Sequence, residues 1–479
     1  MIRVRFALPL ALTLTAVAAG ACRRPAPLPP PPPKLGVTRP APGADLEAPP
    51  PAPAPAVRRA PGLIAAQPLP LGADRPATRV AVPAAPRGGS IAFGFGDDRR
   101  GWVTHVPDSL QLPAVAYGDG KIFVSGGFET YSFYALDADE GRIVWVTAQL
   151  PDNGPTAPIY DEDDDDVIFN TESCTLVCLA AKTGKLRWSK RLGDPTLAQV
   201  GAANGLVFAA HPGDGGPALS AYRIADGAHV WSRPVDGELY AAPVVDGDSV
   251  YASTVGGASY RFAAADGHLV WKRALRATTA PFVADGELYV SRRAGGGEAQ
   301  IVVSIATGAI LRAHGASAAP YLADVPQIQT AANWKQIWAF EGSRPVIARG
   351  VRYVARGGVI EADDPSSGAA YWIRTDAKAQ GRRSVGSVAV AGSQLVVSTR
   401  AGQLYGLDVD TGYTLWAYDV GHPVVAEPIV ARGWVYLATA DGLVIALQVA
   451  DPTLDGWHMF GGNPRHNGPV APRRTQATL

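Results

Sequence analysis

The stretch AAKTGKLRW, residues 180–188, has four close copies elsewhere in the chain. They are DADEGRIVW (137–145), RIADGAHVW (223–231), AAADGHLVW (263–271) and DVDTGYTLW (408–416). Each sets a glycine four residues before a tryptophan. Looser copies complete a series of tagged glycines: Gly141, Gly184, Gly227, Gly267, Gly308, Gly368 and Gly412. Their spacing is 40–44 residues, apart from one gap of 60. Trp145, Trp188, Trp231, Trp271, Trp372 and Trp416 follow them, and the Gly308 copy carries Arg312 instead.

Ahead of each tag lies a second recurring element, such as AVAYGDGKIFVS (114–125), APFVADGELYVS (280–291) and PIVARGWVYLA (428–438). Glycine turns between β-branched and aromatic runs signal hairpins. A third strand follows, as in FYALDA (133–138), then the tagged turn, then a fourth strand with the tryptophan. Eight hairpin units begin near 114, 157, 200, 243, 281, 345, 387 and 428. Four short strands per repeat of this length is the propeller-blade period. The expected fold is therefore all-β, an eight-bladed propeller of four-stranded antiparallel blades.

That architecture explains the spacing. Glycine supplies the positive φ of a tight turn between strands three and four. Four residues is an even step along a strand, so the tryptophan takes a defined face, here the one meeting the next blade. Its ring fills the gap between sheets and its N–H reaches a backbone carbonyl. The eighth unit ends at LVIALQVAD (443–451) with no tag, whereas GWVTHVP (101–107) is a tryptophan strand with no blade before it. Residues 101–106 are thus expected to complete the last blade, with Trp102 as its docking tryptophan, which removes free edges at the seam.

The motif resembles the tryptophan-docking motif of the PQQ-like (quinoprotein-type) β-propeller repeat family. The resemblance spans about residues 100–450. It implies architecture more firmly than activity, because the family holds quinone-dependent alcohol dehydrogenases as well as non-catalytic envelope lipoproteins of the BamB type. The dehydrogenase branch implies an adjacent cysteine pair over the quinone, a calcium held by acidic and amide side chains, and a catalytic aspartate. No adjacent cysteine pair occurs here. The BamB branch implies a protein-binding scaffold whose partners are envelope proteins, the β-barrel assembly machinery among them.

The rest of the chain bounds the function further. Lysine plus arginine and aspartate plus glutamate both number 43, so no bulk charge attracts nucleic acid. MIRVR followed by FALPLALTLTAVAAGA has the layout of a secretory signal, residues 1–21. AGAC then resembles the lipobox of bacterial lipoproteins, with Ala19 where leucine is usual. That implies lipidation of Cys22 and a Gram-negative envelope, and Arg23 after the cysteine implies sorting to the outer membrane. Residues 22–92 are rich in proline and alanine and show no apolar periodicity, so they are expected to be a disordered linker. The propeller is placed at 93–450 and a strap with a tail at 451–479.

Candidate chemistry is sparse. Cys174 and Cys178 fall on one expected strand, ~13 Å apart at ~3.3 Å per residue, beyond disulfide reach. YDEDDDDVIF (160–169) is the sharpest charge run, and its expected role is a solvated turn, with weak calcium binding or an acidic docking patch as the alternatives. Eight histidines make no metal spacing, and no nucleophile elbow is present. No catalytic, cofactor or metal residue is therefore assigned. Two points stay open. The fifth blade's tryptophan is Trp338 behind an insertion, or its fourth strand is AILRA and the excursion at 309–343 follows it. GWHMFGGNPRHNGPVAP (456–472) is a strap packed on the ring through Trp457 and Phe460, or a peptide for a partner.

Overall fold

A tight turn every few residues and alternating apolar positions leave no room for helices, and none occurs among the described residues. The computed structural model describes residues 67–470, apart from 97, 108, 110, 128, 155, 194–198, 240–241, 295–296, 318–343, 357, 377–384 and 425. The signal sequence, Cys22, the linker up to residue 66, Trp334, Trp338 and the tail from 471 lie outside the described residues.

The described strands form eight sheets, each built on four antiparallel strands. Blades 1–7 occupy residues 116–147, 159–191, 201–234, 244–273, 282–317, 346–375 and 385–419. Blade 8 takes three strands from residues 429–448, and its fourth is Arg99–His105. Ala446 pairs with Trp102 and Ile445 with Val103, so the two ends of the ring are joined by a hydrogen-bonded ladder. First strands line the axis, and the last of them, Ile429–Ala431, touches the first, Ala116–Gly118. This is an eight-bladed β-propeller. The largest apolar cluster runs from blade 6 through blade 8 into blade 1, across the seam.

Each fourth strand of blades 1–7 carries a bulge directly after the tagged turn. In blade 1 Trp145 pairs with Ala135 and Ile143 with Leu136, leaving Val144 as the extra residue. Blades 2–7 repeat the shift at the same place. A bulge raises the local twist, which turns the tryptophan face toward the neighbouring blade.

The linker expectation of 22–92 needs correction at its C-terminal end. Pro68–Pro70 adds in parallel to the outer strand of blade 6, and Thr78–Arg79 in parallel to that of blade 7. Ser90–Phe95 adds antiparallel to Arg99–His105 in blade 8. Residues 67–95 thus form a belt over three consecutive blade edges. Proline is compatible with such positions because an edge strand needs only half of its hydrogen-bonding groups. The sequence shows no sign of the first two additions, since Asp74 and its partner Arg374 stand 300 residues apart in the chain.

Blade 5 settles one open point. Its fourth strand is Ile310–Ser317, directly after the Gly308 turn, so AILRA belongs to the blade. The C-terminal segment packs on the ring as a strap, with Trp457 and Phe460 buried.

Candidate functional site at the joints, axis and rim of the ring

The tagged glycines share one conformation, with φ between 67° and 73° in all seven. Each also faces the preceding blade's docking residue. A Cβ on Gly184 would lie 2.5 Å from Trp145 Cε3, and one on Gly141 would lie 2.4 Å from Trp102 Cε3. Glycine is required twice, by backbone conformation and by ring contact. The indole N–H groups donate to the carbonyl three residues before the tag. Trp102 donates to Ala138 at 3.0 Å, Trp145 to Ala181 at 2.9 Å and Trp188 to Ile224 at 2.7 Å. Trp231 donates to Ala264 at 2.8 Å, Trp271 to Ile305 at 2.8 Å and Trp372 to Val409 at 3.1 Å.

Two joints differ. At blade 5 Arg312 turns to Glu287 of its own blade, and His314 lies over Gly368 instead. Burial lowers the His314 pKa, and the nearby Arg352 lowers it further, which favours the uncharged ring in the joint. Trp416 corrects the expected docking set. It donates to Gln394 Oε1 of its own blade at 2.7 Å. Its ring covers Gly406, where a Cβ would meet indole atoms at 2.1–2.5 Å. The reason is local. Blade 8 has no tagged turn between its third and fourth strands, because the fourth comes from the other end of the chain. With no turn to dock on, the indole folds back. Gly406 makes room where the equivalent residue is Ala135, Cys178 or Ala221 in blades 1–3.

The axis is occupied at one mouth. Residues 457–467 pass over the first strands and bond to the middle residue of five of them. Tyr117 N–H donates to the His458 carbonyl at 2.6 Å, Ala202 to Pro464 at 2.7 Å, Val245 to Arg465 at 3.0 Å and Val430 to Trp457 at 2.7 Å. In blade 5 the Asn467 amide takes the strand's place. Its Oδ1 accepts from Val283 N–H at 2.8 Å and its Nδ2 donates to the Val283 carbonyl at 3.0 Å. His466 is 1% exposed, with ring nitrogens 2.6 Å from the carbonyls of Phe460 and Val200. Burial lowers its pKa to about 4 against the pull of those carbonyls, and Arg344 adds to the lowering. Arg344 donates to the carbonyls of Pro281 and His466. Trp457 and Phe460 were expected here, whereas Arg344, His466 and Asn467 were not. An NPRHNG loop gives no periodic signal, and only the convergence of first strands shows its use.

The remaining sequence candidates are quiet. Cys174 and Cys178 are free and buried, and burial pushes the Cys174 thiol up to about 11. In the acidic run, Asp166 is buried and pairs with Arg187 at 2.5 Å. Asp161 is pushed up to about 6, first by burial and then by Asp163 and Asp164. No cluster of three or more His, Cys, Asp or Glu side chains is placed to hold a metal among the described residues. The rim is more telling. Exposed large aliphatics concentrate on outer strands: Val144 and Val146 in blade 1, Leu269 and Val270 in blade 4, Ile310 and Leu311 in blade 5.

Seven tagged turns with one φ, and six indoles on the carbonyl three residues before each tag, define a repeat family by geometry. The chain matches the family described as "Outer membrane protein assembly factor BamB" over residues 97–201, 172–321, 220–351 and 355–463. It belongs to that family. The resemblance read from the repeat therefore holds. The solved BamB from Moraxella catarrhalis superposes with a TM-score of 0.54 at 17% identity, over 75% of this chain and all of that one. A quinohemoprotein alcohol dehydrogenase from Pseudomonas putida HK5 superposes with a TM-score of 0.53 at 15% identity, over 78% of this chain and 77% of that one. By sequence, a quinoprotein ethanol dehydrogenase of Pseudomonas putida is 30% identical over 171 residues, 31% of this chain. The matched stretch spans about a quarter (26%) of that relative. Both branches of the family are thus represented among proteins of similar fold.

Proposed function

We propose that this chain is a non-catalytic scaffold of the cell envelope that binds other proteins during outer-membrane protein assembly. In this reading it is a lipoprotein anchored through Cys22 at the outer membrane, facing the periplasm. Its partners are envelope proteins, with the β-barrel assembly machinery foremost. The observation that carries the reading is the strap. The dehydrogenase alternative requires a quinone and calcium on the propeller axis. At the strap's mouth that space holds Trp457, Phe460 and His466, all buried and bonded to the chain itself. The asparagine there is spent on a backbone pair, and the carboxylates nearest the strap, Glu427 and Asp246, accept from the strap itself. A mouth filled by the chain's own residues supports the scaffold over a cofactor-holding axis.

The test uses the full-length chain. Incubation with PQQ and calcium, followed by absorbance and a dye-linked alcohol oxidation assay, is expected to give neither uptake nor turnover. Crosslinking in the intact envelope is expected to trap a β-barrel assembly component. Stoichiometric quinone uptake with turnover would overturn the reading.

A further inference from the structure

The belt shows how this ring binds an extended peptide. On blade 6, Pro68–Pro70 runs parallel to the outer strand, with Pro68 beside Ile373 and Pro70 beside Thr375. Leu71 N–H donates to the Thr375 carbonyl at 2.7 Å. The peptide then crosses the seam to blade 7. There Asp74 accepts from the Thr414 N–H at 2.7 Å, from the Thr414 hydroxyl at 2.9 Å and from Arg374 Nη2 at 2.5 Å. Arg374 stands two residues after Trp372, and Thr414 stands two before Trp416. Recognition therefore needs an arginine at the first position, a residue able to donate its N–H just after it, and an outward N–H at the head of the next blade's fourth strand.

The repeat presents these elements once more. Arg273 stands two residues after Trp271 in blade 4, and Ala274 follows with its N–H intact. Across the seam, Ile310 heads the fourth strand of blade 5, with the N–H of the Thr414 position but not its hydroxyl. It pairs with the residue after the bulge, Val303, as Thr414 pairs with Leu407. The other outer edges to which no described strand adds each lack a part. Blade 1 has Thr147 at the arginine position, blade 2 has Lys190 and blade 5 has His314. Blade 3 has Arg233 but Pro234 follows it. Among the described residues, Arg273 pairs with no carboxylate, and its Nη1 donates only to the Lys272 carbonyl. Arg374, in the covered copy, is 2% exposed. This seam, to which no strand of the described residues adds, also carries Leu269, Val270, Ile310 and Leu311, each more than 40% exposed.

We propose that the outer edge of blade 4 and its seam with blade 5 bind an extended, proline-containing segment of a partner protein, added in parallel, with an aspartate on Arg273. This continues around the rim the strand addition that the chain already performs on itself. Main-chain pairing supplies affinity, and the Asp–Arg contact sets register. The inference rests on the scaffold reading only for the existence of a partner.

The probe is a synthetic peptide with the sequence of residues 67–76, QPLPLGADRP, added to the full-length chain. Saturable binding is expected, with residues 269–274 protected from hydrogen exchange. The peptide carrying Asp74→Asn should bind about tenfold more weakly. The protein carrying Arg273→Gln should show the same loss, with an unchanged thermal midpoint because the side chain is exposed. Absence of saturable binding overturns the proposal. So does binding that ignores Arg273→Gln, or protection confined to residues 370–376, which would mean exchange with the chain's own belt. If the envelope crosslinking fails and this succeeds, the assembly role falls and the site stands. The reverse outcome removes the site and leaves the role.

Discussion

Gly184 carries φ +70° with a neighbouring indole 2.5 Å from where a Cβ would sit. Both constraints act at once, so Gly184→Ala must shift either the turn or Trp145. A loss of about 2–4 kcal/mol is expected, read as a lower urea midpoint with an unchanged slope. Gly205 is an informative control. Its φ is +71°, but nothing lies within 4 Å of its added Cβ. Gly205→Ala should therefore cost only the backbone strain, about 1 kcal/mol. The difference between the two isolates the blade joint. Gly406 makes a complementary case, because its φ is not in the left-handed region while its Cβ position is filled by Trp416. Gly406→Val is expected to expel that indole from beneath Gln394, with a red shift and quenching of its fluorescence.

At the scale of the element, strap and belt are held by opposite electrostatic means. Burial lowers the folded pKa of His466 to about 4, against two carbonyls that favour the charged ring. Its contribution is complete above the ordinary histidine value of about 6.5 and is lost as pH falls toward about 4. Acidification through that window should loosen the strap and expose Trp457, seen as a fluorescence change. His466→Gln should flatten the change. Asp74 is kept ionised. Burial raises its pKa, but hydrogen bonds from Arg374 and Thr414 outweigh this and hold it at about 2. Its contribution is present above about pH 4 and disappears only as pH falls through about 2. At neutral pH, Asp74→Asn leaves Arg374 buried without a counter-charge, at a cost of about 2–4 kcal/mol. Limited proteolysis should then cut within residues 67–95 before the ring.

For the whole molecule, the seam is decisive. Blade 8 is completed by residues from the other end of the chain, so ring closure is the longest-range event in folding. Val103 pairs with Ile445 on one side and Ile91 on the other, and is fully buried. Val103→Pro removes a ladder donor from a central strand. The expected result is a ring that opens at the seam, seen as a broadened unfolding transition and faster hydrogen exchange at residues 443–448.

Much of this was legible in the chain. A glycine four residues before a tryptophan, repeated at blade period, carries turn, strand and joint together, so blade count and closure followed from local pattern alone. The acidic run was legible as a turn, since Asp161 pairs with Asp166 across a hairpin. The belt, the strap's polar anchors, the reversal of Trp416 and the His314 joint were not legible. Each depends on which edges and turns lie opposite in space. Proline-rich residues 67–79 have no periodicity of their own and take order from edges hundreds of residues away. The blades are written in the chain, because each is closed by contacts within about 40 residues. What covers the axis and the rim is not, because those surfaces exist only after the ring has closed.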